Sequence, residues 1–432
     1  MKDRSCQNAA SVSTPKNVFF NLSLFQFLTF LRRGIFYTFM INYLYMLMQT
    51  VTSTAALGTL NMLASALGQN LIWGRICDRC KLRTKLIIVG ETIASFAYIT
   101  VFLAHKSLID MGNPFAAGLT IIFGLSTLEF FWSMSDVGWA ALLTDLTAPQ
   151  KRGRIVGMLN FIASLGRMVG IIFAGYLYNG GEGFKNGTIF IIVAILLLTG
   201  AAIMAFTARN IKENPQTQKS FPGTAVKCLG ADCSAEGKIY RWFLLSLIII
   251  VLGVSSINQV FLLFIKLPEG LNASDPEMSL ILSAWTIGGM LASLASGGLA
   301  DKIGRTKTML LGLILAIATP LMYTVASDVR VMAFIYGLNG IAFWTIQTVG
   351  FTLASDIIPE HKRGLLFSRY NTVMALSWGP AGLLVGGPLA DIQTLRFGLP
   401  DYAAYVNTFY ASAVIAAMGT IIFALKFSRF KL

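Results

Sequence analysis

Residues 297–307 read Gly297-Gly298-Leu299-Ala300-Asp301-Lys302-Ile303-Gly304-Arg305-Thr306-Lys307. Apolar runs flank this stretch on both sides, so it reads as a short charged connection between two buried helices. The chain carries a second copy upstream, Gly74-x3-Asp78-Arg79-x3-Arg83-Thr84-Lys85, again between apolar runs. Two further landmarks repeat in step. Asp145-x6-Arg152-Gly153 is matched by Asp356-x6-Arg363-Gly364, and Asn160 and Asn371 follow at the same offset. Three landmarks in the same order describe two blocks arranged in parallel.

Composition says what kind of blocks these are. Of 432 residues, 55% are hydrophobic and 12% charged, with a mean hydropathy of +0.67. A soluble domain carries about 25% charged residues, so this chain has too little polar surface to cover a water-soluble body. A soluble enzyme, a disordered tail and a secreted disulfide scaffold are excluded. The expected fold is all-α, a polytopic membrane protein. With 2 His, a histidine-rich metal centre is excluded as well.

A helix needs about 20 mostly apolar residues to span a bilayer. Twelve stretches qualify: 18–46, 53–76, 84–105, 115–143, 154–178, 186–208, 241–265, 278–300, 307–326, 331–355, 364–390 and 403–427. Under strictly alternating crossings, 25 of the 34 basic residues fall on one side and 5 on the other. Lys and Arg collect on cytoplasmic loops, so both termini are expected in the cytoplasm of a multi-pass cell-membrane protein. The net charge of +14 is thereby a topology signal, and no nucleic-acid partner is implied. The expected division is a tail over 1–17, a six-helix half over 18–209, a cytoplasmic linker over 210–240 and a second six-helix half over 241–432.

In these features the chain resembles the major facilitator superfamily from about Asn17 onward. The stretch from Gly297 to Arg305 matches that family's loop motif, G-x3-D-[RK]-x-G-R, at every fixed position. The first copy departs, with Lys81 and Leu82 in place of Gly and Arg. The resemblance implies twelve helices in two pseudo-symmetric halves, with a cytoplasmic latch between the halves. Its members here would be Gly74, Asp78, Arg79, Asp145 and Arg152 in the first half. In the second they would be Gly297, Asp301, Lys302, Gly304, Arg305, Asp356 and Arg363. The fifth span reads Gly157-x8-Gly166-x3-Gly170-Ile171-x2-Ala174-Gly175, similar to the motif of the drug:proton antiporter branch, with Ile171 for Pro and Ala174 for Gly. Small residues at this spacing let the helix approach a neighbour in the other half closely. No cation stands near Ser126, where that branch carries an Arg in its fourth helix.

Charges inside the apolar stretches locate candidate function, because each costs about 2.5–3.5 kcal/mol at the centre of a spanning helix. Arg32, Arg33, Glu91, Glu129, Asp136, Arg167 and Arg369 stand out. Adjacent helical residues point about 100° apart, so Arg33 is assigned to a substrate cavity and Arg32 to a pairing with Glu129 or Asp136. Glu129 and Asp136 lie seven residues apart on one helical face and are the expected proton-coupling carboxylates. Asp136 has the alternative of holding Arg369, and Glu91 is expected to brace the basic loop. The substrate-binding set is Arg33, Tyr37, Glu129, Trp132, Arg167, Asn258, Gln259, Trp344, Gln347 and Trp378, with Asn42 and Tyr45 nearby on the first span.

Cys77-x2-Cys80 and Cys228-x4-Cys233 have spacings open to a zinc site, although two unrelated substitutions in the loop motif produce the first pair equally well. No metal or cofactor is assigned. No phosphate-binding G-x4-GK-[ST] loop is present, so nucleotide does not drive transport. The expected function is secondary transport of a small organic solute by alternating access, with proton-coupled efflux of amphipathic compounds. Symport or exchange of an anionic metabolite is the alternative, and a lipid-headgroup flippase the third. No catalytic constellation points to an enzyme. The expected partners are a small molecule, protons and the lipid bilayer, with the chain acting as a monomer.

Overall fold

The computed structural model describes residues 16–80, 82–147, 149–210, 235–358 and 363–427. Among them the chain is helical and forms no strand. In order, the helices are α1 (Lys16–Tyr37), α2 (Met40–Met48), α3 (Val51–Leu67), α4 (Gly74–Cys80), α5 (Arg83–Asp110) and α6 (Pro114–Leu146). Next come α7 (Pro149–Tyr178), α8 (Glu182–Lys185), α9 (Thr188–Asn210), α10 (Ala235–Ser256), α11 (Asn258–Phe264) and α12 (Asp275–Ile303). The last are α13 (Arg305–Tyr323), α14 (Val329–Ile357), α15 (Arg363–Trp378), α16 (Gly387–Asp391) and α17 (Asp401–Phe427).

Nine of the helical runs among the described residues are long and apolar enough to cross a membrane. The first, second and eleventh expected spans take a different form, as interrupted helices. α1 gives way to α2 at Thr38 and Phe39, where the Thr38 hydroxyl donates to the Gly34 carbonyl. Such a side chain competes with the backbone for its own acceptors and bends helices. α3 and α4 are joined by a wide turn over Gly68–Trp73, and a similar turn over Gly382–Gly386 leads into α16. Wider turns of this kind break the regular ladder and are frequent at functional sites.

The helices pack as two sets. In the first, α1 packs on α7 and α9, α3 on α6, and α5 on α6 and α9. In the second, α10 packs on α15 and α17, α12 on α14, and α13 on α14 and α17. Contact for contact, the second set repeats the first. Large apolar side chains remain on the outer faces, among them Leu294 at 78% and Leu425 at 72% exposure. In water such a surface would be unstable, and a bilayer covers it. The segment between the sets, 211–234, lies outside the described residues, as do the two tails.

The repeated landmarks form the same ion pair twice, at one end of the bundle. Arg305 at the start of α13 pairs with Asp356 near the end of α14. Arg83 at the start of α5 pairs with Asp145 near the end of α6, at 2.6 Å. Arg83 stands one residue later than the motif prescribes and still reaches its partner. Both pairs are internal to one set, whereas a latch between the sets was expected. Arg79, Asp301 and Lys302 form no ion pair with described residues. The side chains of Asp78, Arg152 and Arg363 lie outside the described residues. Gly74 opens α4, and Gly297 sits inside α12 with open space around it. Gly304 breaks the helix with φ +94°, a conformation L side chains rarely adopt.

At the other end of the bundle the two sets touch. Asn42 Nδ2 donates to the Leu262 carbonyl at 3.0 Å, and Tyr405 donates to the Tyr45 hydroxyl at 3.4 Å. Lys266 pairs with Asp275, whose other oxygen accepts from the Gly180 N–H at 2.9 Å. Nearer the middle, Thr59 donates to the Gly379 carbonyl at 3.2 Å. These contacts close this face, and among the described residues no hydrogen bond or ion pair joins the two sets at the loop-motif face.

Candidate functional site

Between the two sets lies a cavity of about 1070 Å³. It extends toward the loop-motif face past Ser65, Gln69, Asn70, Asp136 and Asn371. Among the described residues four charged side chains line it: Arg33 from α1, Glu129 and Asp136 from α6, and Arg167 from α7. Tyr37, Asn258 and Gln259 also stand in the wall.

Close helix contacts set this arrangement. A Cβ on Gly170 of α7 would lie 2.3 Å from the Leu31 carbonyl oxygen, and one on Gly34 of α1 would lie 2.4 Å from that of Arg167. Only glycine allows these two backbones to meet, and their contact holds Arg33 and Arg167 on adjoining walls. The small-residue stripe on α7 therefore serves mainly the neighbour α1 in its own set. Gly175 alone in that stripe reaches α12, where a Cβ would lie 2.4 Å from Ser279 Oγ. This differs from the expected role of the whole stripe at the other half.

Within the cavity, Arg33 pairs with Asp136 at 3.8 Å. Its guanidinium also stands 4.4 Å from the centroid of the Trp132 ring and 5.4 Å from that of Phe30. Glu129 has no ion pair or hydrogen bond among the described residues. Arg167 likewise has no acidic partner there, and it lies over the ring of Trp285 from the second set, 5.5 Å from its centroid. The wall thus holds one charge pair, one unpartnered carboxylate and one unpartnered guanidinium.

Several expected residues lie elsewhere. Arg32 turns away from the cavity: it is 1% exposed, donates to the Tyr98 hydroxyl at 3.0 Å, and faces Trp132 at 4.8 Å. Neither Glu129 nor Asp136 is its ion-pair partner, because adjacent helical positions point about 100° apart, which leaves Arg33 in the cavity wall and Arg32 buried against Tyr98. Trp132 is itself buried and absent from the cavity wall. Its Nε1–H needs an acceptor inside the protein and donates to Glu91 Oε1 at 2.9 Å. Ser135 donates to the same oxygen at 2.7 Å. Glu91 consequently braces α6 from α5, and not the basic loop.

Trp344 follows Phe343 by one residue, which rotates it off the cavity wall onto Gly289 of α12. Gln347 is not among the lining residues, and the side chain of Trp378 lies outside the described residues. Asn42 and Tyr45 belong to the sealed face. Arg369 is exposed, and Asp136 is paired with Arg33 instead. Cys77 is buried and Cys80 exposed, neither in a disulfide among the described residues, while Cys228 and Cys233 lie outside the described residues.

The second set contributes wall residues that the sequence reading passed over: Trp285 of α12 and Tyr336, Asn339 and Phe343 of α14. Asn339 could have been found by the logic used for charges, since an amide in an apolar span needs partners. It has them: Trp285 Nε1 donates to Asn339 Oδ1 at 3.2 Å, and Asn339 Nδ2 donates to Thr319 Oγ1 at 3.0 Å.

Comparison with known proteins agrees with this architecture. The family model described as Major Facilitator Superfamily matches residues 22–267 and again 243–430. Over 150 residues the chain is 26% identical to the quinolone resistance protein NorA of Staphylococcus aureus, covering 34% of this chain and 37% of NorA. Over 138 residues it is 34% identical to the putative metabolite transport protein YwtG of Bacillus subtilis, covering 32% and 30% respectively. The matched stretches thus span about a third of these relatives' lengths. Among solved structures, the nucleoside transporter NupG superposes with a TM-score of 0.72 at 15% identity, over 96% of this chain and 100% of that one. A bacterial homologue of the iron transporter ferroportin in an inward-facing state gives 0.68 at 16%, over 95% and 99%. At these identities the superpositions speak for the fold alone. A helical membrane bundle of two matching sets around a charged cavity, matched twice by one family model, belongs to the Major Facilitator Superfamily of transporters.

Proposed function

We propose that this transporter moves an amphipathic organic solute by alternating access and couples that movement to protons, in the direction of export. In this reading twelve spans form two halves, 18–209 and 241–432, that rock about the cavity, although α10 already begins at Ala235, inside the 210–240 stretch expected as the linker. The basic loop-motif face is assigned to the cytoplasm of the cell membrane, so the arrangement described above opens inward. The cavity is built within one chain, which supports a monomer as the working unit.

The observation that carries the reading is Glu129. It stands in the cavity wall with no ion pair or hydrogen bond among the described residues, on one helical face with Asp136. A carboxylate favours its charged form in water and its neutral form when desolvated. Rocking of the halves changes how much water reaches Glu129, which loads and releases a proton once per cycle. Asp136, held by Arg33, is the second group on that route. The stretch similar to NorA supports export of amphipathic compounds.

A second reading, symport or exchange of an anionic metabolite, is favoured by Arg167, a cavity cation with no acidic partner among the described residues. Reconstitution in vesicles under an imposed pH gradient tests both, with wild type and Glu129→Gln screened against organic solutes of either charge. Solute movement opposite to proton flow, lost in Glu129→Gln, supports the first reading. Anion uptake that is insensitive to Glu129→Gln and abolished by Arg167→Gln contradicts it.

A further inference from the structure

The unpartnered guanidinium and the aromatic group beneath it make up a recognition surface of their own. Arg167 carries five N–H donors in a planar fork. Among the described residues, none of them meets an acid. The side chain is open to the cavity, and its plane is backed by the Trp285 ring at 5.5 Å. Trp285 is fixed on three sides: by its bond to Asn339, by Phe343 at 5.5 Å between centroids, and by Trp344 at 6.2 Å. The backbones behind it are in contact too, since a Cβ on Gly340 would lie 2.3 Å from the Trp285 carbonyl oxygen. Tyr336 is stacked on Phe261 at 4.3 Å and completes a rigid aromatic wall. A fork backed by a ring matches a carboxylate's geometry and leaves the neighbouring aromatic surface for an apolar body.

Charge selects among anions. Among the described residues the wall has two cations, of which Arg33 is engaged with Asp136 and Arg167 meets no acid. Glu129 in the same cavity opposes a second negative charge. A phosphate or dicarboxylate therefore has one counter-charge too few. We infer that the cavity recognises an organic monoanion, a carboxylate on a planar ring, with the carboxylate on Arg167 and the ring against Trp285 and Tyr336. This rests on the cavity being the solute site and deepens the proposal above, without depending on the direction of transport or its coupling.

The test is binding with no gradient present, on the full-length protein in detergent. Radiolabelled 2-naphthoate, benzoate and indole-3-acetate are the probes. 2-Naphthamide serves as the uncharged isostere and hexanoate as the ringless carboxylate. At least one ring-bearing carboxylate binds saturably, with 2-naphthamide and hexanoate weaker. Arg167→Gln weakens binding roughly ten- to a hundredfold, the range for losing a hydrogen-bonded charge, and Arg167→Lys falls between. Trp285→Leu narrows the preference for naphthoate over hexanoate. Thermal midpoints without probe identify any variant that fails to fold, and Arg167→Lys keeps the test decisive in that event. Saturable binding by none of the three, binding of the amide equal to that of the acid, or indifference to Arg167→Lys and Arg167→Gln overturns the inference. Proton coupling can fail in vesicles while this binding stands, and the reverse, so the two results are separable.

Discussion

The Asp391 carboxylate accepts the Thr52 backbone N–H at 2.8 Å and, through its other oxygen, the Val51 N–H at 2.9 Å. Asp391 ends α16 in the second set, and Val51 opens α3 in the first. The first N–H groups of a helix have no partner within it, and the positive end of the helix dipole favours a carboxylate. One side chain thus ties the two sets together on the sealed face. Gly387 allows the approach, since a Cβ there would lie 2.7 Å from the Thr52 Cα.

Removing this cap loosens the sealed face. A lost helix cap costs about 1 kcal/mol, or roughly a fivefold change in a two-state balance. In a background without the five native cysteines, Asp391→Ala raises the rate at which an impermeant maleimide added at that face modifies Ile41→Cys, about fivefold. Asp391→Asn, which keeps an acceptor, gives a smaller rise. Equal rates in all three would show that the contact does not hold the face shut.

Trp132 acts as a brace. Both adjacent guanidinia face its ring, at 4.8 and 4.4 Å, and its N–H is bonded to Glu91. Trp132→Phe keeps the ring and loses the donor, at about 1 kcal/mol. Trp132→Ala opens a cavity beside two cations and destabilises by about 3–5 kcal/mol. Thermal denaturation in detergent ranks wild type above Trp132→Phe and both above Trp132→Ala. An unchanged midpoint for Trp132→Ala contradicts the role.

Two glycines of one stripe on α7 give opposite outcomes. A Cβ on Gly170 meets the Leu31 carbonyl oxygen at 2.3 Å, while one on Gly157 meets nothing within 4 Å. Gly170→Ala forces α1 and α7 apart, at about 1–3 kcal/mol for an overpacked contact. Gly157→Ala is neutral or stabilising, because alanine favours the helix by about 1 kcal/mol. Parallel melting curves decide it, and a Gly170→Ala midpoint at or above that of Gly157→Ala refutes the packing account.

What could be read in advance follows from which residues carry an unavoidable cost. Asp145 and Asp356 repeat because each receives an arginine at the start of a neighbouring helix, so the double landmark was visible as spacing. Arg33, Glu129, Asp136 and Arg167 were visible because a charge in an apolar span demands a wet cavity or a partner. Trp285, Tyr336 and Phe343 carry no such mark in a chain with 31 Phe and 13 Tyr. Trp132 was placed in the wall from its helical position alone. The reach of its indole to Glu91 on another helix has no trace in the linear spacing. Likewise, spacing along α7 showed that a close neighbour existed, and not that it was α1.

Under the proposed scheme Glu129 carries the coupling proton, and comparing solute exchange with net flux isolates that role. In vesicles loaded with a transported solute, Glu129→Gln retains solute-for-solute exchange, which needs no proton release. The same variant loses the concentrative movement that a pH gradient drives in the wild type. Proton-driven accumulation that persists in Glu129→Gln, at the wild-type level and with exchange intact, rules out Glu129 as the proton carrier.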